Sequence, residues 1–305
     1  MKYCLGIDIG GTKTAVALAD SSGKIVGKEL FPTEPEAGAE KLVERIRVIY
    51  EQLCEKQNIK KEQVTFAGVA CPGPLDIKRG KIIHIATMGF RDVPIKAMLQ
   101  DALRLPVFLE NDANCAALAE SMIGVGKGLD PLVYVTISTG VGSGIIADGK
   151  ILSGAYSSAG ELGHLTIEPD GRACVCGKKG CLELYCSGTA IANDGTAVRG
   201  MQTTTKEVFE LAHRGDSQMQ KIVDNAADKL GLALSSIYHL IDPEILVLGG
   251  SVTNAYEGFA EPLHAALKKY TQNVEGRNFN IKISEFQGDQ VLLGALLYAK
   301  QNFKC

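Results

Sequence analysis

The amino-acid sequence predicts an α/β protein of two similar domains around a cleft, with an inserted metal-binding loop. Three observations carry this. Apolar runs of strand length alternate with helical periodicity in the order βββαβαβα through the first part of the chain. A strand, glycine turn, strand unit at the N-terminus recurs near residue 132, and a repeated supersecondary unit points to internal duplication. Between residues 159 and 183, one imidazole and three thiols crowd into a glycine-punctuated stretch.

Taken in order, Tyr3–Ile9 is an apolar run ending in the turn Asp8-Ile9-Gly10-Gly11-Thr12-Lys13, and Thr14–Ala19 follows as a second strand. Asp20-Ser21-Ser22-Gly23 turns into Lys24–Phe31, completing a meander. Ala37–Gln57 places Leu42, Ile46, Ile49 and Leu53 at helical spacing and reads as an amphipathic helix. Val64–Cys71 is a buried strand stopped by Pro72-Gly73-Pro74; Ile95–Leu103 is a helix; Val107–Glu110 is a strand running into Asn111-Asp112, with a helix over Ala113–Met122.

The second half begins with a strand over Leu132–Ser138, a turn over Thr139-Gly140-Val141-Gly142-Ser143-Gly144, a strand over Ile145–Ala147 and, after Asp148-Gly149, Lys150-Ile151-Leu152. After the metal-binding insertion, helices are expected at Gly188–Val198, Thr205–His213 and Ser217–Leu240, the last with Ile222, Ala226, Leu230, Ala233 and Ile237 on one face. A strand over Ile245–Leu248 runs into Gly249-Gly250; a helix (Tyr256–Tyr270), a strand (Ile281–Phe286) and a helix (Val291–Phe303) complete the chain. The domain division expected is 1–118 plus 289–305 against 119–288.

The 305 residues are 46% hydrophobic and 22% charged, enough for two domains. The net charge of −3 is spread along the chain, so neither nucleic acid nor an acidic membrane surface is an expected partner. No apolar run reaches the length needed to span a bilayer, and the first strand follows Met1 directly, so no signal peptide is expected. Nine cysteines are an odd total, three of them in the metal stretch. Cys4, Cys54, Cys71 and Cys115 sit among apolar residues and read as small buried hydrophobes. A reducing, cytoplasmic setting is expected.

The insertion reads AGELGHLTIEPDGRACVCGKKGCLE. His164, Cys174, Cys176 and Cys181 form a Cys3His set, which suits tetrahedral zinc. Gly177 and Gly180 allow the chain to fold tightly around an ion. Glu161 and Glu183 flank the set; such acids are either solvated or able to grip the hydroxyls of a polyol. Three glycine turns follow strands: Gly10-Gly11, the run from Thr139 to Gly144, and Gly249-Gly250. Backbone N–H groups in such turns can cradle phosphate oxygens. There is no GxxxxGK[ST], which excludes a Walker P-loop, and no GxGxxG before a helix. Asp8 could hold hydrated Mg2+ and Lys13 could face a phosphate. Asp112, where a strand meets a helix, is either an N-cap or a general base.

These motifs, GIDIGGTK (6–13), ENDAN (110–114), STGVGSG (138–144), AGELGH (159–164), CxCGxxGCLE (174–183) and LVLGG (246–250), resemble in identity and order those of ROK-family sugar kinases, in the actin and hexokinase-like superfamily. The resemblance spans essentially the whole chain. It implies two actin/ribonuclease-H-like domains, with ATP phosphates held by Asp8, Gly10, Gly11, Thr12 and Lys13 and by Thr139 and Gly140, and adenosine bordered by Gly249 and Gly250. It also implies a sugar held by Gly73, Asn111, Asp112, Glu161, His164 and Glu183, a structural zinc, Mg2+ as cofactor and a homodimer. Asp112 would take the proton of a sugar hydroxyl, the primary 6-OH, for in-line attack on the γ-phosphorus, while domain closure excludes water.

Glucose is the first expectation; allose, N-acetylmannosamine and N-acetylglucosamine kinases share the motifs, and fructose is less expected. Two departures stand out. Ser251 occupies the place of a glycine in the family pattern, and Thr87-Met88-Gly89-Phe90 replaces an Asn-Leu-x-Trp stretch of many glucose-specific members. The family also contains sugar-responsive regulators with a preceding DNA-binding domain. GIDIGGTK begins at residue 6, so a kinase is expected instead.

Overall fold

The computed structural model describes residues 2–276, 278–286 and 288–303, so the end of the expected 289–305 segment, residues 304 and 305, lies outside the described residues. The chain opens with β1 (Tyr3–Ile9), β2 (Lys13–Asp20) and β3 (Ile25–Pro32), then α1 (Ala39–Lys56) and β4 (Val64–Cys71), as the apolar patterning indicates. The next segment departs from expectation. Between β4 and the following helix lie three short strands, β5 (Leu75–Asp76), β6 (Lys81–Ile85) and β7 (Phe90–Val93), paired antiparallel as a separate small sheet. Strands of two to five residues give too little alternation to be recognised, and charged turn residues interrupt them. Then come α2 (Ile95–Leu103), β8 (Val107–Asn111) and α3 (Asp112–Ile123).

The second half begins with β9 (Leu132–Ile137), β10 (Val141–Ala147) and β11 (Lys150–Ile151). Here the expected turn is shortened: β10 starts at Val141, so Gly142 and Gly144 are strand residues paired with Thr136 and Tyr134. After the inserted loop come α4 (Glu183–Cys186), α5 (Gly188–Arg199), α6 (Thr205–His213), α7 (Ser217–Leu240), β12 (Ile245–Gly249), α8 (Tyr256–Tyr270), β13 (Ile281–Ile283) and α9 (Gln290–Asn302). Of these, the one-turn α4 was not expected, and β13 ends before the expected Phe286.

The chain divides into two compact units: Met1–Gly124 with Lys150–Ala159 and Phe286–Cys305, and Val125–Gly149 with Gly160–Glu285. In the first unit the main sheet runs β3-β2-β1-β4-β8, with β1 antiparallel to β2 and parallel to β4, and β4 parallel to β8. Helices α1 and α2 bury Leu42, Ile46, Leu53, Ile95 and Leu99 in one core with Leu5, Ile7 and Val69 of the strands. On α9 the fit is closer: a Cβ on Gly68 would lie 2.1 Å from the carbonyl oxygen of Ala295, so glycine is what lets α9 approach β4.

In the second unit the order β10-β9-β12-β13, with β9 antiparallel to β10 and parallel to β12, repeats β2-β1-β4-β8 of the first. Its core joins Val133, Val135, Leu246 and Leu248 to Ala226, Leu230 and Ala233 of α7, three of the five residues expected on that helix face, with Ile222 also buried and Ile237 partly buried. The α7 start is held by Asp216, which accepts N–H bonds from Gln218 and Met219 at 2.9 and 3.2 Å. Cys4, Cys54, Cys71 and Cys115 are buried and unpaired, as the sequence indicates. Among the described residues no helix is long and apolar enough to cross a membrane.

Candidate active site and metal centre

Strand register gathers the polar residues of the first unit. Asp8 of β1 pairs with Ala70 of β4, which pairs with Glu110 of β8; one step on, Cys71 pairs with Asn111. Asp8, the Gly10–Lys13 turn, Gly73 and Asn111-Asp112 therefore all lie at or just beyond the C-terminal edge of three parallel strands, the edge where open α/β sheets bind ligands. The glycine turn is closed internally: Gly10 N–H donates to Lys13 O at 3.0 Å and Thr33 N–H to Thr12 O at 3.0 Å. Gly11, Thr12 and Lys13 are exposed.

The choice between cap and base at Asp112 is resolved in part by its neighbour. Asn111 is the N-cap of α3, its Oδ1 accepting from Ala113 N at 2.9 Å and Asn114 N at 3.2 Å. Asp112 is the first helical residue, its Oδ1 accepting from Ala113 N at 2.8 Å, and burial pushes its carboxyl above the usual range. The junction is braced by Glu110, which is 2% exposed. Its Oε1 accepts from Asn111 N at 2.8 Å and Asn114 Nδ2 at 3.0 Å, and the carboxylate also accepts from the Tyr298 hydroxyl of α9. The sequence reading gave Glu110 no role; its signal was the Glu110/Asn114 spacing of one helical turn, which nothing in the sequence separates from an ordinary cap.

Asp8 is half-buried, and burial, reinforced by the nearby negative charge of Asp112, pushes its carboxyl up to about 7, with Lys28 opposing. Lys28 is itself ion-paired with Asp289. Asp8 thus keeps its proton in the folded chain to about pH 7 and sheds it in an unfolded chain near 3.8. The folded state binds more protons between those values, so stability falls as pH rises through that window. In the absence of nucleotide and divalent cation, Asp8→Asn should therefore be more stable than wild type at pH 8, by on the order of 2 kcal/mol after discounting for solvent access. The difference should shrink toward zero near pH 4. Thermal melts at both pH values check this, and equal stability at pH 8 would contradict the assignment of a buried, repelled carboxylate.

The second unit repeats the device. Ser138 N–H donates to Gly140 O at 2.9 Å, closing a turn that exposes Thr139, and Gly188 N–H donates to Ser138 O at 2.7 Å. Gly249 ends the neighbouring strand β12 and Gly250 follows it; Gly250 has φ +91°, and a Cβ there would lie 2.3 Å from Ile137 O. Ser251, next in the chain, is exposed and its Oγ lies 3.3 Å from Ser138 Oγ, linking the two turns by a hydroxyl contact.

In the inserted loop His164, Cys174, Cys176 and Cys181 bring their ligand atoms within 4.8 Å of one another. Cys176 Sγ lies 3.5 Å from Cys181 Sγ, and Cys174 Sγ lies 3.8 Å from His164 Nδ1. Tetrahedral zinc with Zn–S bonds of about 2.3 Å separates its ligands by about 3.8 Å, so the spacing fits. Gly180 has φ +70°, and a Cβ there would sit 1.6 Å from Glu168 O, so the loop closes only with glycine at that position. Glu183 begins α4 beside the cluster. Its Oε1 is 3.8 Å from both His164 Nδ1 and Cys174 Sγ, and its Oε2 would be 3.0 Å from a Cβ on Gly140. The metal set, Glu183 and the second glycine turn are therefore contiguous. Glu161, exposed, stands one turn before His164.

Within the first unit, then, the fold brings together Asp8, Asn111 and Asp112 with the first glycine turn. Within the second it brings together Thr139, Gly140, Gly249, Gly250, Glu183 and the four metal-ligand candidates. The Thr87–Phe90 stretch behaves differently from a pocket-lining aromatic segment: Met88 and Phe90 are 3% and 4% exposed in the core of the first unit, leaving Thr87 and Gly89 exposed.

Comparison with known proteins follows the same lines. The family model described as ROK family matches residues 4–302. A glucokinase of Halalkalibacterium halodurans is 32% identical, covering 98% of this chain and 96% of its own. An N-acetylmannosamine kinase of Yersinia pestis is 34% identical over 97% of this chain and 98% of its own. Among solved structures, the ROK family glucokinase from Streptomyces griseus in complex with glucose and AMPPNP is similar with a TM-score of 0.82 and 30% identity, covering 98% of this chain and 99% of that one.

Proposed function

The chain belongs to the ROK family, and from that premise we propose that it is a cytoplasmic, homodimeric kinase transferring the γ-phosphoryl group of ATP to the 6-hydroxyl of a hexose, with glucose as acceptor. The observation that carries the reading is Asp112: a carboxyl raised by burial, at the first position of α3, freed from capping by Asn111 and held beside Asp8 and the first glycine turn. A half-buried acid with a raised carboxyl at a ligand-binding strand edge is a candidate for chemistry. Asn111 and Gly73 orient the sugar, and Asp112 takes the hydroxyl proton as its oxygen attacks phosphorus in line. Lys13 and the N–H groups of the two glycine turns, including those of Thr12, Thr139 and Gly140, face the phosphates; Gly249 and Gly250 border adenosine.

Asp8 would hold hydrated Mg2+, whose charge would offset that of the phosphates. His164, Cys174, Cys176 and Cys181 would hold zinc; four protein ligands fill a tetrahedral ion, so its role is to fix the loop. Because Nδ1 of His164 faces the cluster, Nε2 is left on the far side of the ring for a sugar hydroxyl, alongside Glu161 and Glu183. A coupled ADP-release assay over glucose, allose, mannose, N-acetylmannosamine, N-acetylglucosamine and fructose tests the reading: glucose should give the highest kcat/KM. Highest kcat/KM with N-acetylmannosamine would favour the second reading, supported by the 34%-identical relative of that name. Absence of ATP-dependent turnover with every sugar would overturn both.

A further inference from the structure

Two buried threonines behind the first glycine turn have no part in the chemistry described so far. Thr14 on β2 and Thr33, just past the end of β3, are 0% and 2% exposed. Thr33 Oγ1 lies 2.6 Å from the carbonyl oxygen of Gly10. A carbonyl has no proton to give, so Thr33 donates. Thr14 Oγ1 lies 2.9 Å from Thr33 Oγ1; with the Thr33 proton committed, Thr14 donates and Thr33 accepts. The Gly10 N–H is likewise turned inward, to Lys13 O at 3.0 Å. Both backbone groups of Gly10 are thereby spent inside the turn, and a Cβ at Gly10 would lie 2.7 Å from Lys13 O.

The consequence lies in the next peptide unit. The bond joining Gly10 to Gly11 is planar and trans, so its C=O and N–H point in opposite directions. Drawing the Gly10 carbonyl onto a buried hydroxyl turns the Gly11 N–H outward. Gly11 is exposed, and among the described residues beyond its chain neighbours only Thr87 Oγ1, at 4.0 Å, comes within 4 Å of its would-be Cβ. We propose that Thr33 is a positioning residue for nucleotide binding: by anchoring the Gly10 carbonyl it aims the Gly11 N–H at a phosphate oxygen of ATP, with Thr14 fixing the Thr33 rotamer. The inference rests on the kinase reading above.

Thr33→Val keeps shape and volume but removes the donor; Thr33→Ser keeps the donor. Steady-state kinetics should show KM for ATP raised about tenfold in Thr33→Val, the loss expected when a hydrogen bond to a charged group is misaligned. KM for the sugar at saturating ATP should stay within about twofold, and Thr33→Ser should return KM for ATP to near wild type. A general loss of stability would not move the two constants apart or be rescued by serine. Unchanged KM for ATP in Thr33→Val, or equal impairment of both variants, overturns the proposal. If wild type phosphorylates no sugar the kinase reading fails, and calorimetry with AMPPNP still decides this one: weaker binding by Thr33→Val than by wild type and Thr33→Ser supports it, and equal affinities overturn it.

Discussion

Asp112→Asn is expected to fold normally, to keep its metal and to bind sugar, while turnover falls at least ~100-fold, the low end for loss of a positioned base. The substitution is isosteric, and the amide oxygen can still accept from Ala113 N, now 2.8 Å from the carboxylate. The helix start is untouched, because Asn111 carries the cap. Burial, which raises the Asp112 carboxyl, no longer acts against a charge, so stability should hold or rise. The amide cannot accept the hydroxyl proton, and only the chemical step should suffer. The same physics sets the pH profile of wild type. Both Asp112 and Asp8 are raised, Asp8 to about 7, and only their ionised forms accept a proton or hold a hydrated cation. With a cation holding Asp8 ionised, Asp112 sets the limit, so activity should fall as pH drops into its range, which lies above that of an ordinary carboxylate. The checks are kcat at saturating substrates and calorimetric sugar binding; turnover near that of wild type would remove Asp112 from the role of base.

The grouping of these candidate residues was largely legible in the sequence because its parts are local. Glycine turns after strands, an Asn-Asp pair at a strand-to-helix junction and a thiol–imidazole cluster are short patterns with strong physical reasons. The duplicated sheet was legible too, since the strand, turn, strand unit repeats in residues as well as in pairing order. What escaped depends on distant partners. Glu110 gains meaning only when Tyr298 of α9 reaches it, and Thr33 only when β3 lays it against Gly10. Gly68 reads as a strand weakness until Ala295 is packed over it. The small β5-β6-β7 sheet was missed for a different reason, that its strands are too short to show a period. Phe90, which stands where many glucose-specific members have tryptophan, is worth more in the core, where it is 4% exposed.

Loss of the metal should act chiefly on the sugar. Cys181 is 0% exposed and lies within 4.8 Å of the other ligand atoms, so Cys181→Ala should abolish stoichiometric zinc, measured on the purified protein by elemental analysis. Part of the loop has anchors that need no ion. Arg172 N–H donates to the Tyr185 hydroxyl at 2.9 Å, Arg172 is paired with Asp194 at 2.8 Å, and Ala173 forms an isolated bridge with Lys179. The other part has backbone anchors as well, Leu182 N donating to Leu165 O at 3.0 Å and Lys178 Nζ to His164 O at 2.9 Å, but the His164 ring and the Glu183 carboxylate converge on the thiols themselves. Without an ion the four ligand side chains lose the group they share, and the His164 ring and the Glu183 carboxylate lose a common reference point. Sugar KM should rise roughly 10–100-fold, the range for disturbing groups that orient a metal-linked site. Fold and secondary structure should persist, because most of the second unit's core comes from α7, β9 and β12, and Leu162 and Leu182 tie the loop to that core without an ion. KM for ATP should change less, since the first glycine turn is closed entirely within the first unit. A zinc-free Cys181→Ala enzyme with wild-type sugar KM would show that the ion does not order Glu161 and Glu183 for the proposed sugar contacts.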